Sequence, residues 1–179
     1  PLPIPVNVTG IPYQENTLHG GKLRVFHGLN REGFKGTHYV REAFDHLQRH
    51  YPHEVECSIE GGMPLPAYLE HLGKMNVVID QTSSYSCGVN ALFALALGKV
   101  VLGGAEPENH LLYGDAPMPV LNITPDAGSI VRQVEAVLAQ RADLAQLGAA
   151  SREFVATHHD HVRVAERYLA AWAQPKKAV

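Results

Sequence analysis

Two cations, Arg31 and Lys35, stand four positions apart in the glycine-punctuated stretch HGLNREGFKGT, which begins at His27. Such a pair can grip a pyrophosphate, arginine through its bidentate fork and lysine as a point charge. The alternative is two solvated loop cations, the usual state of such side chains. A second group lies in IDQTSSYSCGVNALFALALGKVVLGG, which begins at Ile79. There a polar loop, residues 81–87, meets Gly88, and residues 89–97 are apolar almost all round. Free N–H groups at the start of a helix near Gly88 suit phosphate or sugar oxygens. Asp80 can orient this loop through the hydroxyls of Ser83, Ser84 or Ser86, a cap-like structural role rather than acid/base work. Cys87 precedes the helix start, where a thiolate is favoured, although a small buried thiol is the commoner state. Glu106 and Glu108 are carboxylates that can accept hydroxyls or simply be solvated. His158, His159 and His161 cluster with only Asp160 beside them, short of a closed zinc ligand set, so no metal site is assigned.

The elements that must position these residues follow from apolar periodicity. Residues 77–79 form a β-branched run suited to a strand buried on both faces, Gly98 stops the apolar helix at C′, and residues 100–102 form the next strand. That is a βαβ crossover with its loop at the carboxyl end of the sheet, where open α/β folds bind ligands. Residues 23–27 read as the first strand, 28–36 as a loop, and 37–51 as a helix with Val40, Phe44, Leu47 and Tyr51 on one face and Thr37 as N-cap. Residues 54–59 make a second strand, and Gly61, Gly62, Pro64 and Pro66 lead to a short helix around 68–72. Residues 105–117 read as a loop and 120–123 as the last strand. Pro125 and Asp126 open a helix carrying Ile130, Val134, Val137 and Leu138 on one face, and helices over 144–157 and 162–172 finish the chain. Trp172, at helical spacing from Tyr168 and Leu169, reads as core or interdomain packing. Five strands alternating with helices predict an α/β fold, a Rossmann-like parallel sheet with helices on both faces.

With 179 residues the chain matches one domain able to bury a full core. Its net charge of -3 gives no broad basic surface, so nucleic acid is not expected as a partner. No window is apolar for long enough to span a membrane. Two cysteines are too few for a disulfide framework, and a reducing cytoplasm is the simpler expectation. Residues 1–20, with Pro1, Pro3, Pro5 and Pro12, read as an extended linker from an upstream domain, leaving residues 21–179 as the folded unit.

From residue 22 to 172 the chain resembles the carboxyl-terminal, donor-binding domain of GT-B-fold glycosyltransferases, in the large retaining family related to sucrose and glycogen synthases. The text HGLNREGFKGT and IDQTSSYSCGVNALFALALGKVVLGG carries that resemblance, with residues 94–101 matching the family's hallmark helix end and strand. The resemblance implies one half of a GT-B fold, with Arg31 and Lys35 as the catalytic cations on the donor's diphosphate. It implies substrate contacts at Gly28 and, through backbone amides, at Tyr85, Ser86, Cys87, Gly88 and Val89. The helix over 162–172 would cross back to a missing amino-terminal, acceptor-binding domain. The family usually places two glutamates eight positions apart, on the donor sugar and on the ribose; here those places hold Tyr85 and Phe93. A phenol accepts less well than a carboxylate, and a phenyl ring not at all. Glu106 and Glu108 are the candidate substitutes.

The expected function is transfer of a sugar from a nucleoside-diphosphate sugar to a glycan or glycoconjugate, in polysaccharide biosynthesis. No cofactor or metal is expected, since the chain's cations would stabilise charge on the departing nucleoside diphosphate. The family leaves room for peripheral membrane association of the full-length protein. Two alternatives stand beside this: a catalytically silent nucleotide-sugar-binding domain, favoured by Tyr85 and Phe93, and a sugar-nucleotide epimerase on the same fold. Sugar, base, acceptor and linkage are not encoded in these motifs.

Overall fold

The β-branched and aliphatic runs become five strands: β1 (Leu23–Gly28), β2 (Val55–Glu60), β3 (Val77–Ile79), β4 (Val100–Gly103) and β5 (Val120–Asn122). A computed structural model describes every residue except His19, Asn30, Arg31, Glu32, Phe34 and residues 174–179. The strands form one sheet in the order β2-β1-β3-β4-β5, and every neighbouring pair is parallel. Seven α-helices accompany them among the described residues: α1 (Thr37–His50), α2 (Leu65–Gly73), α3 (Val89–Ala96), α4 (His110–Tyr113), α5 (Ala127–Ala139), α6 (Leu144–His158) and α7 (His161–Ala173).

Successive strand residues point to opposite faces, and the burial shows it. Val25, Val77, Ile79, Val100 and Leu102 enter one core, where α1 packs on α5. Phe26, Val78 and Val101 enter the other, where α3 packs on α6. Helix α3 buries Ala91, Leu92, Ala94, Leu95 and Ala96, so its nearly all-apolar sequence is that of an element enclosed between sheet and helix. Gly98 ends this turn at φ 86°, a left-handed backbone that glycine adopts without a Cβ penalty.

Three expectations change. Thr37 is the first helical residue of α1 and not its cap; the N-cap is Gly36, and the Thr37 hydroxyl instead meets His27 Nε2 at 3.1 Å. A buried histidine needing a partner outweighs a local cap. The stretch expected as a loop over 105–117 holds a 3-10 turn, Pro107–Asn109, continued by α4. Trp172 and Leu169 are 75% and 62% exposed on α7, which removes the core reading of that helix face.

The proline-rich start, expected to be an extended linker, holds a 3-10 turn at Val8–Gly10 and is docked on the domain. Val6, Val8 and Ile11 are buried. Val6 N–H donates to His159 O at 2.7 Å, and His161 N–H returns to Val6 O at 3.0 Å. The Arg152 guanidinium donates to the carbonyls of Ile11, Ala96 and Val8 at 2.7, 2.7 and 3.0 Å. No helix among the described residues is long and apolar enough to cross a membrane.

Candidate functional site

The chain leaves β1 for β2 on one side and returns to β3 on the other, so the strand order reverses between β1 and β3. In open α/β sheets the crevice at such a switch point, beyond the carboxyl ends of the strands, is where ligands bind. Here Lys35, Gly36 and residues 80–88 stand at that end of the sheet. The two loops are joined. Thr82 N–H donates to Lys35 O at 3.2 Å, and Lys35 Nζ lies 3.5 Å from Asp80 Oδ1. Gly36, at φ 70°, lets the backbone press against the Thr82 side chain, where any Cβ would collide.

Lys35 is therefore placed at the crevice, but buried and paired. Arg31 lies outside the described residues. Asp80 does hold the loop, though not through serine hydroxyls. Its Oδ2 accepts the Gly88 N–H at 2.7 Å, while Ser84 Oγ donates to Ser86 O at 2.7 Å. Helix α3 has no side-chain cap at Gly88, the residue before its first turn. Gly28 is buried at the end of β1, with the Tyr68 hydroxyl 3.1 Å from where a Cβ would sit. His27, also buried, meets Ile79 O through Nδ1 at 2.9 Å. A carbonyl only accepts, so Nδ1 carries the proton and Nε2 accepts from Thr37. Burial pushes the His27 pKa down, which favours this neutral ring.

The loop after β4 completes the site. Tyr85 is 72% exposed, while its carbonyl accepts from Glu106 N–H at 3.0 Å and from Asn109 Nδ2 at 2.7 Å. Asn122 Nδ2 donates to Glu106 Oε1 at 2.9 Å. Glu106, Tyr85, Thr82, Ser83, Ser84 and Thr124 line a depression of about 270 Å3 with Ile123 and Pro125. Glu108 is exposed and does not line it, and Ser86 and Val89 lie at its margin in sequence only. Cys87 is buried, and burial pushes its thiol up to about 12, so its side chain is an inert core group. Phe93 is half-buried against the α3 core.

Sequence reasoning missed Thr82, Asn109 and Asn122, polar residues whose partners lie in other loops. Within the histidine cluster, His159 is a structural residue. His159 Nδ1 donates to Ile4 O at 2.8 Å, and the Tyr113 hydroxyl bonds Nε2 at 3.0 Å. Among the described residues no three His, Cys, Asp or Glu side chains gather as a metal site. A larger, mainly apolar cavity of about 620 Å3 lies elsewhere, between β5, α5 and α6, lined by Met118, Leu121, Val137, Leu147 and Phe154. No lysine or arginine is among its lining residues, so it is the poorer candidate for an anionic ligand.

No protein-family model matches the chain, and no curated protein matches it in sequence. Solved structures do match it in fold. HepE of Anabaena, in complex with UDP and glucose, superposes with a TM-score of 0.63 at 13% identity over 86% of this chain and 48% of that one. TarM gives 0.70 at 12% identity over 92% and 37%. Sucrose-phosphate synthase of Thermosynechococcus elongatus gives 0.69 at 18% identity over 96% and 51%. The chain thus spans about half the length of these neighbours or less. With its five parallel strands, helices on both faces and these neighbours, the chain has the Rossmann-like fold of one half of a GT-B structure.

Proposed function

We propose that the chain is the donor-binding half of a glycosyltransferase that moves a sugar from a nucleoside-diphosphate sugar to a glycan or glycoconjugate acceptor. One observation carries this reading: a switch-point crevice gathers Lys35, the start of α3 at Gly88 and the Glu106 depression. Cation and amides suit a diphosphate, and a carboxylate with one oxygen already bonded can accept a hydroxyl of ribose or sugar on the other. In the reaction the glycosidic C–O bond to the diphosphate breaks, the acceptor hydroxyl oxygen takes its place, and the hydroxyl proton passes to the departing diphosphate. Lys35, with Arg31, would stabilise the negative charge gathering on the departing diphosphate. The acceptor and its catalytic groups would belong to a companion domain.

A second reading, a binding domain without catalysis, is favoured by Tyr85 and Phe93 at the family's glutamate positions. Titration of UDP and GDP into the wild type and the Arg31→Ala, Lys35→Ala double variant tests the clamp. The double variant should lose at least about tenfold in affinity; equal affinities would remove it.

A further inference from the structure

The groups assigned to the donor's phosphates already share a partner. Asp80 is 2% exposed; one of its oxygens lies 3.5 Å from Lys35 Nζ, and the other accepts the Gly88 N–H at 2.7 Å. A single internal carboxylate sits where the oxygens of an anion would sit. Lys35 is itself 8% exposed, and its backbone carbonyl is tied to Thr82, so the ammonium has little freedom to leave that carboxylate. The floor of the crevice pairs one positive with one negative charge.

We propose that Asp80 is a specificity-determining residue, one that weakens the site's grip on diphosphate relative to the uncharged parts of the ligand. The proposal rests on the donor-binding reading above. A phosphate oxygen approaching Lys35 or Gly88 meets the Asp80 carboxylate at close range, and like charges repel strongly in a part-buried site. Recognition then falls on neutral and hydroxyl-binding groups, which the depression lined by Thr82, Ser83, Tyr85 and Glu106 supplies for a nucleoside or sugar.

Calorimetric binding of UDP and of uridine to the wild type, Asp80→Asn and Asp80→Asn/Lys35→Gln, at low and high salt, tests this. Asparagine keeps an oxygen for the Gly88 N–H, and the double variant replaces a buried ion pair by neutral groups, a change that folds tolerate. Asp80→Asn should bind UDP about tenfold or more tighter with uridine unchanged, and salt should shrink the gain. The double variant should bind UDP about tenfold less tightly than Asp80→Asn, since the lysine charge that the single substitution frees is gone. UDP bound no more tightly by Asp80→Asn, with uridine still bound, would overturn the proposal and leave the donor reading standing. If Asp80→Asn does not fold, a double variant that loses about tenfold or more for UDP relative to wild type overturns the proposal as well. Failure of every form, wild type included, to bind either UDP or uridine would remove the donor reading and this inference with it.

Discussion

Lys99 and Lys35 are buried at opposite ends of the same parallel sheet, and different chemistry holds them. Lys99, 1% exposed just before β4, donates to Gly73 O at 2.8 Å, with no carboxylate in ion-pair range among the described residues. The asparagines beside it are uncharged. Asn76 Oδ1 accepts from Arg24 N–H, and its Nδ2 donates to Asn16 Oδ1 and Thr17 O. Lys35, beyond β1, is held by the Asp80 carboxylate. At the amino end of the sheet Lys99 bonds a backbone carbonyl, and Asn76 bonds Asn16 and the backbone, with no ion pair to Lys99 among the described residues. The charge pair at the carboxyl end lies instead beside the Glu106 depression at the switch point, which is why ligand binding is assigned there.

The largest expected effect breaks that pair. Lys35→Met leaves Asp80 as a buried carboxylate without its cation and should destabilise the fold by about 3–5 kcal/mol in chemical denaturation. A loss below about 1 kcal/mol would show that the pair contributes nothing and that the two ends do not differ.

Lys99 gives the complementary test. Burial pushes its ammonium down to about 8 from an ordinary 10.5. Below that folded value both states hold the proton, and the native state bears the full desolvation penalty. Between the two values only the unfolded state keeps it, so this group's contribution to stability rises with pH. The Cys57 and Cys87 thiols, pushed up to about 12 by burial, act in the opposite direction. The observable is therefore the wild type minus Lys99→Met difference in unfolding free energy, which should rise by about 3 kcal/mol across that window. A flat difference would mean that Lys99 is solvated.

Phe93→Ala should cost about 2 kcal/mol, less than a fully enclosed ring, because Phe93 is half-buried against the core. Phe93→Glu should fold less stably without gaining nucleotide. A Phe93→Glu protein that folds well and binds UDP more tightly would show an open ribose pocket at that place. The smallest effects separate two glutamates: Glu106→Gln should weaken UDP-glucose binding a few-fold by removing an anionic acceptor, whereas Glu108→Gln, at an exposed position, should leave it unchanged.

The sheet was legible because strands enclosed on both faces need apolar runs rich in β-branched residues, as in Val77–Ile79 and at Val100, Val101 and Leu102. Helix caps were legible only where the capping bond is local. Asp126 accepts from Ser129 N–H at 2.7 Å within its own turn, whereas Thr37 is diverted to His27 across the fold. Residues 107–113 were hidden because one short turn carries too little periodicity to mark a helix. The docking of the amino-terminal stretch depends on Arg152, far away in sequence, and no local pattern signals it. At the site, Lys35 stood out as a candidate, but its partner did not. Asp80 was legible as a loop-holding residue, yet its reach to both Lys35 and Gly88 exists only once β1 and β3 lie side by side.

The most direct test of ligand binding at the carboxyl end is a map of backbone amide shifts as UDP is titrated into the labelled protein. The account predicts that the perturbed amides cluster at Lys35, Gly36, residues 82–89 and Glu106, with the network around Asn76 and Lys99 unmoved. Shifts centred instead on Met118, Val137 and Phe154 in the larger cavity, or no shifts at all, would contradict it.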